Sequence, residues 1–109
     1  MAADVVLVLT TLGASADADA FARTLVEERL AACVNVLPLM SSTYRWKGAI
    51  ERDDERQLVI KTTRDRVEAL RARLEALHSY ELPEFVVLRV DDGSERYLRW
   101  IIEETRADG

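Results

Sequence analysis

The sequence predicts an α+β domain in which two βαβ units share one antiparallel sheet. Three observations carry this. Apolar, β-branched runs recur at residues 5–9, 32–37, 57–62 and 84–90. Apolar stripes of helical period lie between the first and second runs and between the third and fourth. The remaining gap holds Tyr44-Arg45-Trp46-Lys47-Gly48-Ala49-Ile50-Glu51, which reads as the tip of a long β-hairpin. With a short helix after the last strand the order is β-α-β-β-α-β-α. This is the ferredoxin-like arrangement, with both long helices on one face of a four-stranded antiparallel sheet.

Each element has a local reason. Val5-Val6-Leu7-Val8-Leu9 is continuous enough for a central strand buried on both faces. Ser15 is the expected N-cap of the first helix, with Asp17 and Asp19 complementing the dipole in its first turn. Ala18, Phe21, Ala22, Leu25 and Val26 then repeat at helical spacing, to about Leu30. Pro38 ends the second strand's hydrogen bonding and marks an edge, bulge or kink; extended sequence resumes at Ser41. In the arm, Tyr44 and Trp46 share one face, Arg45 and Lys47 the other. Lys47-Gly48 supplies the turn, since glycine tolerates positive φ. Arg52-Asp53-Asp54-Glu55-Arg56 is expected to form a solvated bulge before the third strand.

Thr63 is the expected cap of the second helix, whose stripe is Val67, Leu70, Leu74 and Leu77. His78-Ser79-Tyr80-Glu81-Leu82-Pro83 is a connection, Pro83 holding Leu82 extended. Asp91-Asp92-Gly93 turns the chain into a third helix capped by Ser94. Leu98, Ile101 and Ile102 face inward there, flanked by Tyr97 and Trp100.

A chain of 109 residues makes one domain, with a core over about 5–103 and a polar tail over 104–109. The net charge of −5 and the lack of a basic run weigh against nucleic acid or an anionic membrane as partner. Cys33 is the single cysteine, so no internal disulfide forms and a reducing compartment is suited. The N-terminus carries no cationic segment, and the apolar run at 5–9 is too short to span a bilayer. A cytoplasmic location is the expectation.

Four strings converge on one family. Leu30-Ala31-Ala32-Cys33-Val34-Asn35-Val36-Leu37-Pro38 is the first, and Ser41-Ser42-Thr43-Tyr44-Arg45-Trp46-Lys47-Gly48-Ala49-Ile50-Glu51 the second. Ile60-Lys61-Thr62 and His78-Ser79-Tyr80-Glu81-Leu82-Pro83-Glu84 follow in the same order. Together they resemble the CutA family of divalent-cation tolerance proteins, from about Val5 to about Glu103. The resemblance implies a trimer of ferredoxin-like domains and a link to tolerance of copper and other divalent metals. It implies no enzyme activity. The trimer is similar in plan to the PII signalling proteins, which gives a second reading: a signalling or interaction module binding a small anion or partner protein at subunit clefts. Ser79 stands where the family usually has proline, which is expected to lengthen the helix and loosen the loop.

Candidate site residues follow. Cys33 offers a soft thiolate for copper or zinc, and His78 with Glu81 offers an imidazole and a carboxylate, with Glu84 beyond. Their alternative roles are a packed thiol and a helix C-cap. No pairing of Cys or His has the spacing of a closed zinc site, so ligands from a neighbour or water would be needed. Nothing in the sequence joins Cys33 and His78 into a nucleophile–base pair. Lys61, Tyr80 and Trp100 are the expected lining of an inter-subunit cleft. Tyr44 and Trp46 are the expected anchors of the trimer interface.

Overall fold

The computed structural model describes residues 1–107. Five strands, β1 (Val5–Gly13), β2 (Cys33–Val36), β3 (Met40–Trp46), β4 (Ala49–Thr63) and β5 (Val86–Arg89), combine with helices α1 (Ala18–Glu27), α2 (Val67–Leu77) and α3 (Glu95–Glu104). Every strand pairing is antiparallel. The sheet runs β2-β4-β1-β5, with β3 also paired to β4. β2 and β3 flank successive stretches of β4, residues 58–61 and 49–55. They are two halves of the expected second strand, parted around Pro38, which has no N–H to give the ladder. Taken as one, they complete the four-stranded plan.

Local chemistry shifted several boundaries. Asp17, not Ser15, caps α1, its carboxylate accepting from the Ala20 N–H at 3.0 Å. The helix stops at Glu27 rather than Leu30, because Arg29 turns into the left-handed region at φ 58°. Thr63 opens a 3-10 turn over Arg64–Arg66 before α2, and its hydroxyl meets Asp65 rather than a helix N–H. The last strand is shorter than expected, Val86–Arg89. Leu77 ends the α2 stripe half out of the core, at 39% exposed. At the other end of the chain Thr105 is buried, its hydroxyl donating to the Ile101 carbonyl at 2.8 Å. Of the expected polar tail, Asp108 and Gly109 lie outside the described residues.

The charged segment 52–56 is the largest correction. It forms no bulge: β4 continues through it, paired one-to-one from Met40↔Glu55 to Trp46↔Ala49. Arg52, Asp53 and Asp54 are exposed on the two-stranded arm, where charge costs little, while buried Glu55 is bonded by the Tyr80 hydroxyl. Arg52 and Asp54 pair across i,i+2 at 2.7 Å. The tip turns through Lys47 at φ 49° and Gly48 at φ 82°, the two positive values a tight two-residue hairpin turn requires.

The register sorts the sheet into two unequal faces. Val6, Val8, Ile60, Leu25, Leu30, Leu70 and Leu74 form the main core between the sheet and α1 and α2. The opposite face carries the odd-numbered residues of β1 and β4. It is covered only at its ends, where Leu98 and Ile101 of α3 pack on Val5 and where Tyr80 reaches buried Glu55. Beyond that, Leu7 and Leu9 of β1 and Val59 of β4 are partly buried. Their β5 neighbours Leu88 and Val86 are 41% and 44% exposed. β1 is therefore not buried on both faces within one chain. The same face continues along the arm as Met40, Ser42, Tyr44 and Trp46, which face odd residues of β4.

Candidate ligand cleft

The arm and the connection after α2 enclose the main concavity, and the sequence explains how the connection is held. α2 ends at Leu77 and His78 is extended, at ψ 142°. The Tyr80 N–H donates to His78 Nδ1 at 3.0 Å, which makes Nδ1 an acceptor. The proton then sits on Nε2, which donates to the Thr11 carbonyl at 2.6 Å. Both ring nitrogens are thus used within the chain, tying the loop to β1. The helix does not lengthen despite Ser79.

Tyr80 then crosses to the open sheet face. Its ring lies 4.7 Å from that of His78, and its hydroxyl donates to Glu55 Oε2 at 2.9 Å. Gly13 makes room, since a Cβ there would sit 3.2 Å from the Tyr80 hydroxyl. Gln57 Nε2 donates both to the Thr10 carbonyl and to Glu84 Oε2, each at 2.8 Å. On the arm, the Tyr44 hydroxyl donates to Asp53. Between these groups lies a cavity of about 790 Å³ walled by the rings of Tyr44, Trp46 and Tyr80. Asp53, Glu55, Glu81 and Glu84 give it a negative lining.

Glu55 is 8% exposed, so its carboxylate depends on the Tyr80 hydroxyl. Burial, then the bond to Glu55, pushes the Tyr80 phenol up to about 12. The bond to Asp53 pushes the exposed Tyr44 phenol up to about 12 as well. A folded-state value above the unfolded one near 10 stabilises the protonated fold below pH 10. That contribution is lost as pH rises from 10 through 12. Tyr80→Phe is expected to flatten the decline in stability over that range, as read from urea midpoints at successive pH values. An equally steep decline in the variant would remove Tyr80 as its cause.

The whole domain, and not this cleft alone, fixes its kinship. The family model described as "CutA1 divalent ion tolerance protein" matches residues 6–104. The chain belongs to the CutA1 divalent ion tolerance family. It is 44% identical over 99 residues to the divalent-cation tolerance protein CutA of Thermus thermophilus, covering 91% of this chain and 96% of that one. The crystal structure of CutA from Xylella fastidiosa superposes with a TM-score of 0.90 at 48% identity, over 94% of this chain and 99% of that one. A chloroplastic CutA of Arabidopsis thaliana is 41% identical over 85 residues, 78% of this chain but 47% of its own length. CutA1 membership brings the antiparallel α+β fold with it, and the Thermus relative is named for divalent-cation tolerance.

The metal candidates do not converge in one CutA1 chain. Cys33 faces Lys61 in the sheet, six positions along β4 from Glu55, roughly 20 Å away at strand spacing. His78 has no free ring nitrogen. Glu81 lies 3.6 Å from Lys47 in an exposed ion pair. Among the described residues no group of three or more His, Cys, Asp or Glu side chains is placed to hold a metal ion. A divalent cation therefore does not fit the residues of a single chain.

The residues expected to line an inter-subunit cleft lie apart within one chain. Lys61 Nζ donates to the Tyr97 hydroxyl at 3.2 Å, and the Tyr97 ring stacks on Trp100 at 5.5 Å. These three sit by α3, while Tyr80 sits at the Glu55 end. Asp53, Glu55 and Gln57 are not legible as lining in the sequence, where the charged run 52–56 signals a bulge and Gln57 a plain strand position. Had β4 been continued through 52–56, period-two alternation would have placed all three on the face of Tyr44 and Trp46.

Proposed function

We propose that this protein serves divalent-cation tolerance as a homotrimer in which neighbours cover each other's open sheet faces. The observation supporting this reading is the row Leu7, Leu9, Val59, Val86 and Leu88, apolar across three adjacent strands and only half covered in one chain. Apolar surface of that continuity favours association. Tyr44 and Trp46 prolong the same face along the arm, so a neighbour laid over the row also meets these rings. Cys33 lies beside the row, and copies of this soft ligand on a shared surface bind copper or another divalent ion weakly, without His78, whose ring nitrogens are both used within the chain. The role is binding and not catalysis, and the cytoplasm is proposed because a chain with one cysteine needs no oxidising compartment for an internal disulfide. Among the described residues no helix is long and apolar enough to cross a membrane. The carboxylates of the cavity disfavour the alternative, a small anion in the cleft.

Calorimetric titration of the assembled, metal-free protein with copper(II) tests the metal reading. Saturable binding is expected, weakened at least about tenfold in Cys33→Ser at unchanged molar mass. Absence of saturable binding, or an unaffected Cys33→Ser variant, would overturn it.

A further inference from the structure

We propose that His78 is a proton-operated latch for the 79–84 loop: the neutral ring holds the loop on the sheet, and the charged ring releases it. The latch is built from bonds within one chain and is independent of metal binding.

Few bonds hold the loop. Residues 78–85 belong to no helix or strand. Among the described residues no backbone–backbone hydrogen bond ties residues 79–84 to the rest of the chain. Side chains make the attachments: Tyr80 N–H to His78 Nδ1, Tyr80 hydroxyl to Glu55, and Gln57 to Glu84. The ion pair of Glu81 with Lys47 is exposed and adds little. Only the bond to His78 engages the backbone of the loop. Ser79, between the imidazole and Tyr80, has no ring to fix its φ, so Tyr80 is able to turn.

That one backbone bond exists in a single charge state of the ring. An amide N–H only donates, so the 3.0 Å bond requires a lone pair on Nδ1. An imidazolium carries protons on both nitrogens. Nε2 would keep its bond to the Thr11 carbonyl, at 2.6 Å, because a carbonyl only accepts. The ring is therefore pinned from the β1 side. Nδ1 would then present an N–H to the Tyr80 N–H, donor against donor, and Tyr80 has to move. Its hydroxyl bond to Glu55 loosens with it, and the wall that Tyr80 gives the cavity opens.

The surroundings leave His78 as the group that responds. It is the only imidazole of the chain, and imidazole is the side chain that ordinarily changes charge between pH 5 and 8. Its ring meets the Thr11 carbonyl from β1, Phe21 from α1 at 6.4 Å and Tyr80 at 4.7 Å. The Tyr80 phenol, pushed up to about 12, stays protonated throughout that range. Behind it stands the Glu55 carboxylate of β4, while Glu84 is turned to Gln57 and Glu81 to Lys47.

Nuclear magnetic resonance of the full-length, nitrogen-15-labelled protein between pH 8 and 5 tests the latch. At pH 8 the ring should carry its proton on Nε2 alone. As the ring becomes charged, the Tyr80 amide signal should move with the same midpoint. Amides of residues 79–84 should then exchange at least about tenfold faster, corrected for intrinsic pH dependence, while that of Ile60 stays protected. In His78→Gln, which cannot take up the proton, the loop signals should not change over this range. A ring protonated on Nδ1 at pH 8, or one that stays neutral down to pH 5, would overturn the proposal. So would a Tyr80 amide that keeps its protection beside the charged ring, an equal loss of protection at Ile60, or the same transition in His78→Gln.

Discussion

Replacing Ile60 with alanine is expected to lower the stability of the fold by about 2–5 kcal/mol. Ile60 is fully buried on β4, paired with Val8 on one side and Val34 on the other. It belongs to the same packed cluster as Leu25, Leu70 and Leu74, so it joins the sheet to both long helices. Truncation removes a buried side chain and leaves a cavity that three rigid elements cannot easily close. Urea unfolding at fixed protein concentration measures the loss, with concentration held because assembly adds to apparent stability. Leu77→Ala is the internal control: its side chain is 39% exposed, so a distinctly smaller loss is expected. Equal losses at the two positions would mean that the core does not lie where the sheet meets α1 and α2.

The second large effect concerns the open face. Leu88→Glu is expected to convert the assembly to monomers while leaving the helix and strand content of each chain intact. Within one chain Leu88 is 41% exposed on edge strand β5, so a carboxylate there reaches water. Between subunits the same carboxylate would be buried without a partner, which costs several kcal/mol. Three copies of that cost in one closed assembly leave no route to a trimer. A parallel loss of melting temperature is expected, because subunits that bind only the native state stabilise it. A variant that keeps both its mass and its melting temperature would exclude Leu88 from the interface.

How much of this was legible in the sequence differs by element. Helix positions followed from the apolar period, and both long helices lie where Leu25 and Leu70 place them. Their ends were set by details that periodicity does not carry. One is the Asp17 side chain reaching the Ala20 N–H, and another is the positive φ of Arg29. The 52–56 segment reads as a loop because charge signals solvation, yet Arg52, Asp53 and Asp54 are solvated on a strand and Glu55 is buried against Tyr80. That single error hid the cavity, since Asp53 and Glu55 are half of its carboxylates.

His78 shows the opposite case. Its residue type suggested a ligand, and its position a helix end. Which role it takes depended on the Thr11 carbonyl, 67 residues distant in sequence, and no local pattern reports that. Likewise the register of β4 sets Lys61 and Tyr80 at opposite ends of one face within a chain, a separation that no local pattern reports. Leu7 and Leu9 are instructive for a different reason. Their continuous apolar run predicted burial on both faces, and one chain covers only one. The proposed neighbour would supply the missing face.

That last inference is the one on which the proposed function stands, and molar mass in solution tests it most directly. Multi-angle light scattering on the full-length protein, repeated across a hundredfold dilution, should give three times the mass of one chain throughout. A mass of one chain at all concentrations, with Leu7, Leu9, Val59, Val86 and Leu88 left facing water, would contradict the account.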